Sequence, residues 1–418
     1  MSDHHTDVLV IGAGVVGISC AYYLASRGRS VTVVDSGAVA AGCSYGNAGL
    51  VVPSHSLPLA APGVIAKGMR WMLDADSPFY IKFRWDRDLW SWLWKFRAAC
   101  REEQARRAVP VLRDAQRASA ALIEGLTRLE GMECAYARKG LLGVYRTDKA
   151  LEGGRKEAAF LGEYGLEARV LEGAAARALV PALRDGLAGA ILYPEDAHLE
   201  PASFVKTLAR HAEARGARVL PQTEVLGFER KGSRIASIQT SKGTFRAEEV
   251  VLAAGSWSPS LARSLGFRLP IQPAKGYSIA LSNPPIPPAV PLLLMEAKVG
   301  VTPMGRFLRL AGTLEIGGLD LTINERRVDA IRRRSREYLE GLDGLEELEV
   351  WRGLRPCSPD GLPFVGRPGA IENLIVATGH AMIGLSLGPI TGKLVAELAA
   401  RQKPSLDLAL FSPDRFAS

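Results

Sequence analysis

Three glycines spaced as Gly12-Ala13-Gly14-Val15-Val16-Gly17 make a loop that can hold a diphosphate. Gly12 allows the tight turn, Gly14 lets the backbone approach the phosphates, and Gly17 lets a helix pack closely on a strand. The loop opens a helix whose first N–H groups and positive dipole end face the anion. Asp35 follows about 20 residues later, where a carboxylate accepts hydrogen bonds from a ribose 2′-hydroxyl. An acid there favours NAD or FAD over NADP, and does not separate the first two.

Three further segments favour a flavin. The loop over 40–49 is built of small residues, with Cys43, Ser44 and Asn47 before Ala48 and Gly49, so it can run along a flat cofactor. A strand over 249–252 ends on Ala253-Ala254-Gly255-Ser256-Trp257, and small residues at a strand's carboxyl end give a ligand room. A strand over 373–377 ends on Thr378-Gly379-His380, and after Ile383 a helix runs from Gly384 through Leu385 and Ser386 to about Ala400. That helix start directs positive potential at its ligand. His380 adjoins it as a contact for flavin or substrate, or as a structural histidine. Tyr277 is a candidate to pack on or hydrogen-bond to a substrate, and equally a core tyrosine. His55 is a weaker candidate. Lys298, on an expected strand, is weaker still.

The elements that must position these residues follow from periodicity. Val8-Leu9-Val10-Ile11 is an apolar run suited to a strand buried on both faces. Ile18, Ala21, Tyr22 and Ala25 continue at helical spacing to Gly28, and residues 30–34 form a second strand. A helix over 202–215, strands over 217–220 and 223–229, and a hairpin over 235–240 and 244–247 follow. These predict an α/β fold: a Rossmann-like FAD-binding domain (1–52, 189–268 and 349–418) interleaved with an α+β substrate domain on a mixed or antiparallel sheet (53–188 and 269–348).

Composition sets the outer limits. The 418 residues exceed one simple core, and 47% hydrophobic with 23% charged residues is ordinary for a globular protein. The net charge of +8 attracts anions in a general way, but no nucleic-acid module accompanies it. Five scattered cysteines have neither metal nor redox spacing, which points to no metal site and a reducing cytoplasm. Residues 8–25 carry no charge, yet their glycines read as strand, turn and helix rather than a membrane span. Between residues 64 and 96, Trp71, Trp85, Trp90, Trp92 and Trp94 mix with Lys67, Arg70, Lys82, Arg84, Arg87 and Lys95. That mixture suits packing, a lid, or contact with the inner face of the cell membrane.

Taken in order, the fingerprint, the loop over 44–49, Lys275-Gly276-Tyr277-Ser278, Trp351-Arg352-Gly353-Leu354-Arg355-Pro356 with Asp360-Gly361, and Thr378-Gly379-His380 resemble the FAD-dependent D-amino-acid dehydrogenases. These stand in the superfamily of D-amino-acid oxidase, glycine oxidase and sarcosine oxidase. The resemblance runs from about Asp7 to Phe416. It implies FAD as cofactor, with Ser36 and Val225 near its adenosine half, and hydride transfer from the α-carbon of a D-amino acid to flavin N5. It makes Arg355 the carboxylate ligand, with Arg352 as competitor, since strand alternation alone does not choose between them. It implies electrons passing to a membrane quinone or other acceptor. D-proline or cis-4-hydroxy-D-proline stays open as substrate, as does a glycine or sarcosine type of oxidase. Outside the family, an NAD-dependent dehydrogenase shares the first motif.

Overall fold

The strand Asp3–Ile11 enters the protein with Val8 and Val10 in one apolar cluster and Leu9 and Ile11 in another. It is therefore buried on both faces, as its unbroken apolar run requires. In this computed structural model, which describes residues 3–65, 68 and 77–417, it lies at the centre of an eight-stranded sheet. Parallel neighbours are Val31–Val34 on one side and Gly243–Leu252 on the other, and Leu374–Thr378 runs parallel beyond the latter. Ile11 pairs with Val34 and Leu252, and Leu252 with Val376, so four strand ends meet at one edge.

Helices Val15–Ala25, Pro201–Glu213 and Gly384–Ala399 contribute to one of those clusters. The first and last cross in close contact. An added methyl at Gly388 would fall 2.7 Å from Val15 Cγ2, and one at Gly392 would fall 2.5 Å from the Ser19 backbone. Contacts ascend together along both chains, so the helices are parallel and their N-termini share the end where the strands stop. Neither helix has a side-chain cap or an acid in its first turn. Two positive dipole ends thus face one crevice.

Two expected segments, 244–247 and 249–252, are one continuous strand, Gly243–Leu252. Its first half pairs antiparallel with Arg234–Thr240, and its length pairs parallel with Asp3–Ile11. The break expected near residue 248 came from reading a change of neighbours as a change of element.

The second sheet has nine strands in mixed array. Gln272–Ser282 is its spine, antiparallel to Glu347–Cys357 and to Phe307–Ile316. Two of its strands fall within segments assigned from sequence to the other body: Gly189–Tyr193, and Glu347–Cys357 from residue 349 onward. The chain changes sheets inside those segments. Lys298 lies in the turn between Leu292–Leu294 and Val299–Pro303, with φ of 54°, and not on a strand as expected. Lys67, Arg70 and Trp71 lie outside the described residues. Among the described residues no helix is long and apolar enough to cross a membrane.

Candidate active site

The crevice at the shared strand ends is shaped by missing side chains. Gly12 has φ of +114°, and a methyl there would lie 2.4 Å from Ala253 O; one on Gly17 would lie 1.8 Å from Gly12 O. Both positions require glycine. Val15 and Gly17 are buried, whereas Gly14 and Val16 are partly exposed. Asp35 is fixed by its own loop: Ala13 N–H donates to Oδ2 and Gly37 N–H to Oδ1, each at 2.7 Å. Each carboxylate oxygen retains a lone pair for a hydroxyl. Thr223 N–H donates to Asp35 O and Gln222 N–H to Gly37 O, which brings Val225 alongside Asp35 and the exposed Ser36.

The loop of Cys43 to Gly49 threads between the sheets and is held at nearly every residue. Ser44 Oγ accepts from Val15 N–H at 2.8 Å. Asn47 spends its amide within the loop, donating to Cys43 O and accepting from Gly49 N–H, both at 2.9 Å. Arg309, buried, donates to Tyr45 O and Asn47 O, and Thr302 donates to Ala48 O. Burial lowers the Arg309 pKa. Neither Arg309 nor Thr302 stands out in sequence, because each acts on backbone far away in the chain.

Facing that loop is one side of the strand Glu347–Cys357. The Trp351 indole packs over both Gly46 and Gly353, where a methyl would fall 2.2 Å from the ring in each case. Arg355 is on the same face. A methyl at Gly276 would lie 2.1 Å from Arg355 Nη1, so the guanidinium rests on bare backbone. Nη1 donates to Thr313 O at 2.7 Å. Thr313 has φ of +68°, strained for a β-branched residue, within an irregularity where Thr313 and Leu314 stand opposite Gly276 alone. Burial lowers the Arg355 pKa, and the Cys43 and Cys357 thiols are its charge-sensitive neighbours. Burial pushes both thiols up to about 12, so they are neutral. Among the described residues no carboxylate pairs with Arg355.

Alternation now separates the two arginines. Arg352 is on the opposite face, paired with Tyr277, and donates to Leu321 O at 3.0 Å. Tyr277 is buried on that face too, its hydroxyl 3.2 Å from Glu315 Oε2, next to Lys275 and Arg327. Of the two readings of Tyr277, these contacts favour the core tyrosine, since the strand's phase turns its side chain to the face opposite Arg355.

For His380 the contacts likewise favour the structural one of its two readings. It is buried, with Nε2 2.9 Å from Thr391 Oγ1, and burial lowers its pKa to about 3. A neutral ring bonded to Thr391 of the helix supports the turn. Leu385 is buried too, and Ser386 points away from the crevice, donating to Gln116 Oε1. Gly379, with φ of +78° and no room for a methyl against Phe364, lies in the turn with Ile383 and Gly384. Ala254 and Gly255 line the neighbouring turn, and Trp257 is half-exposed beyond them. Ser256 Oγ donates to Leu354 O at 2.8 Å, tying that turn to the Arg355 strand.

A glycine cradle, a free-sided carboxylate and two helix N-termini suit an elongated dianion with a ribose, so the chain's residues fit FAD. Comparison with known proteins agrees. Residues 7–398 match the DAO family model, described as FAD dependent oxidoreductase. The chain is 36% identical over 419 residues to a D-amino acid dehydrogenase of Paramagnetospirillum magneticum, covering 98% of this chain and 99% of the relative. It is 34% identical over 418 residues to a D-amino acid dehydrogenase of Bradyrhizobium diazoefficiens, with coverage of 98% and 99%. A solved glycine oxidase from Geobacillus kaustophilus superposes with TM-score 0.80 at 26% identity, over 99% of each chain.

Proposed function

Because the chain belongs to the FAD dependent oxidoreductase family, we propose that it oxidises D-amino acids to 2-oxo acids and ammonia, with Arg355 binding the substrate carboxylate. The observation that carries this is the half-buried guanidinium itself. It has one carbonyl acceptor and no carboxylate partner among the described residues, and it faces the loop that runs along the cofactor crevice. Such a group is costly to bury unless a ligand completes it. A carboxylate does so through two parallel hydrogen bonds.

Bound FAD supplies a two-electron acceptor at N5. Arg355 fixes the carboxylate end so that the α-carbon is held at a set distance from the crevice, which is where the rate gain lies. Ser256 and Thr313 fix the arginine strand through Leu354 and the guanidinium. The N-terminus of Gly384–Ala399 favours negative charge in the crevice. In this division of labour the eight-stranded sheet serves the cofactor and the nine-stranded sheet the amino acid.

A basic aromatic face supports a membrane-bound electron acceptor. Phe83, Trp85, Trp90 and Trp94 are 66%, 90%, 46% and 70% exposed beside Lys82, Arg84, Arg87, Lys95 and Arg97, the pattern of an interfacial contact. Trp92 of the same helix is buried and donates to Cys357 O, so the helix is docked by one tryptophan and presents others. The five free cysteines suit the cytoplasmic side.

Anaerobic mixing of the holoenzyme with D-alanine, D-proline, cis-4-hydroxy-D-proline, glycine, sarcosine and the L-forms tests the substrate class. D-forms should bleach the flavin band, and reduction by L-forms alone would overturn the reading. Reoxidation by oxygen, dye and a short-chain quinone separates oxidase from dehydrogenase.

A further inference from the structure

We propose that the Trp351 indole is a fixed stop that limits the length of the substrate's side chain, which makes it a specificity-determining residue of the site built on Arg355. The proposal rests on Arg355 binding the substrate carboxylate, as read above. Trp351, Gly353 and Arg355 follow at every second position of Glu347–Cys357, so all three stand on the face that meets the loop of Cys43 to Gly49. An indole, a stretch of bare backbone and a guanidinium thus line one row.

The register across the strands sets how near the two side chains come. Gly353 pairs with Gly276. The benzo edge of the indole crosses the first glycine, where a methyl would run into Trp351 Cη2 and Cζ2. The guanidinium crosses the second, where a methyl would run into Arg355 Nη1 and Nη2. Directly opposite positions of an antiparallel pair carry their Cβ atoms about 5 Å apart. The ring edge therefore stands beside the guanidinium at a separation on the order of 5 Å. A carboxylate held in the Arg355 fork brings its α-carbon to this gap. A methyl group suits such spacing, whereas a phenyl ring or a long chain directed along the strand meets the indole.

The ring has little freedom to swing aside. Its other half is held by the loop, since a methyl at Gly46 would run into Cδ2 and Cε3. Gly46 is itself fixed, because buried Arg309 donates to the carbonyls on either side of it, Tyr45 O and Asn47 O. Tyr45 adds a tilted ring contact with centroids 6.5 Å apart, and its hydroxyl is hydrogen-bonded to Glu349, the next residue on the face of Trp351. Bare backbone at residues 46 and 353 is what lets an indole lie so close to both segments. For the same reason, nothing else closes the row once the indole is gone: its two nearest neighbours have no side chains to take its place. A stop of this kind sorts substrates by steric conflict and leaves the chemistry at the α-carbon untouched.

The test compares a short and a long substrate on the holoenzyme. In anaerobic flavin reduction the wild type should favour D-alanine over D-phenylalanine by at least about 10-fold in kcat/KM. Trp351→Ala should raise D-phenylalanine relative to D-alanine by at least about 10-fold, a gain that a damaged fold does not produce, and Trp351→Phe should fall between. Propionate and 3-phenylpropionate lack the amine, so their dissociation constants, read from the flavin band, report the same discrimination whether or not any amino acid is oxidised. An unchanged ratio in both variants overturns the stop. Loss of flavin from both overturns it too, since the indole would then be a support for the cofactor. Arg355→Ala checks the reading beneath: it should weaken both carboxylates alike. If it weakens neither, the carboxylate assignment fails, and the Trp351 ratios remain a separate result.

Discussion

Arg355 owes its position to Gly276, Thr313 and Ser256 more than to its own strand. We expect Arg355→Ala to lower kcat/KM by about 10³, with FAD absorbance intact, because a charge-assisted bidentate contact is lost. Arg355→Lys should recover little of it, since an ammonium cannot reproduce the planar fork. Arg352→Ala should stay within about 3-fold on the same steady-state assay, as its bond to Leu321 O is on the other face. Equal losses in the two alanine variants would remove the assignment. Gly276→Ala is the subtler case: the methyl displaces the guanidinium, so KM should rise about 10-fold while the melting temperature hardly moves. From sequence, the two arginines were indistinguishable because alternation fixes relative faces and not which face meets the cofactor. Tyr277 stays open between substrate contact and core in the sequence for the same reason, its phase being set by strands more than 30 residues away.

At the scale of elements, the glycine-led strand, helix and acid were legible because every part is local: Gly12 to Gly17 need only their own turn and the next strand. The partner helix Gly384–Ala399 was legible as a helix, but its crossing was not. Gly388 and Gly392 look like poor helix residues until Val15 and Ser19 are seen against them. We expect Gly392→Leu to part the two helices and their paired N-termini. The measurement is the FAD-to-protein ratio after gel filtration, which should fall severalfold. Gly153→Ala, with nothing within 4 Å of the added methyl, is the control and should retain full occupancy. The strand Gly243–Leu252 was split in the sequence reading because its neighbours change from antiparallel to parallel along its length, which composition does not record.

Across the whole molecule, burial leaves three histidines with lowered pKa values: His55 and His198 to about 4, and His380 to about 3. Each is neutral in the fold and protonated once unfolded below about pH 6.5, so acid favours the unfolded chain. Asp196 works the other way over the same range, since it holds a proton only when folded. Three protons against one leave a net loss of stability as pH falls from about 6.5 towards 4, on the order of 3 kcal/mol per pH unit at most. Melting at pH 5 should therefore lie well below melting at pH 7.5, and a flat profile would contradict the burial. On the basic aromatic face, Trp85→Ser with Trp94→Ser should reduce sedimentation with anionic vesicles at least severalfold while leaving dye-linked turnover unchanged. Equal sedimentation would show that this face is not the contact.

The central strand Asp3–Ile11 has a consequence for how the protein is made. Its neighbours are Val31–Val34 and Gly243–Leu252, and the helix that closes the crevice ends at Ala399. A ribosome therefore delivers the diphosphate loop long before its other wall. For most of synthesis the first helix has no Gly388 or Gly392 to lie against, and its apolar surface waits in the open. Cofactor capture must wait for that second wall, and flavin supply in the cell should govern how much of the protein survives rather than how fast it is translated.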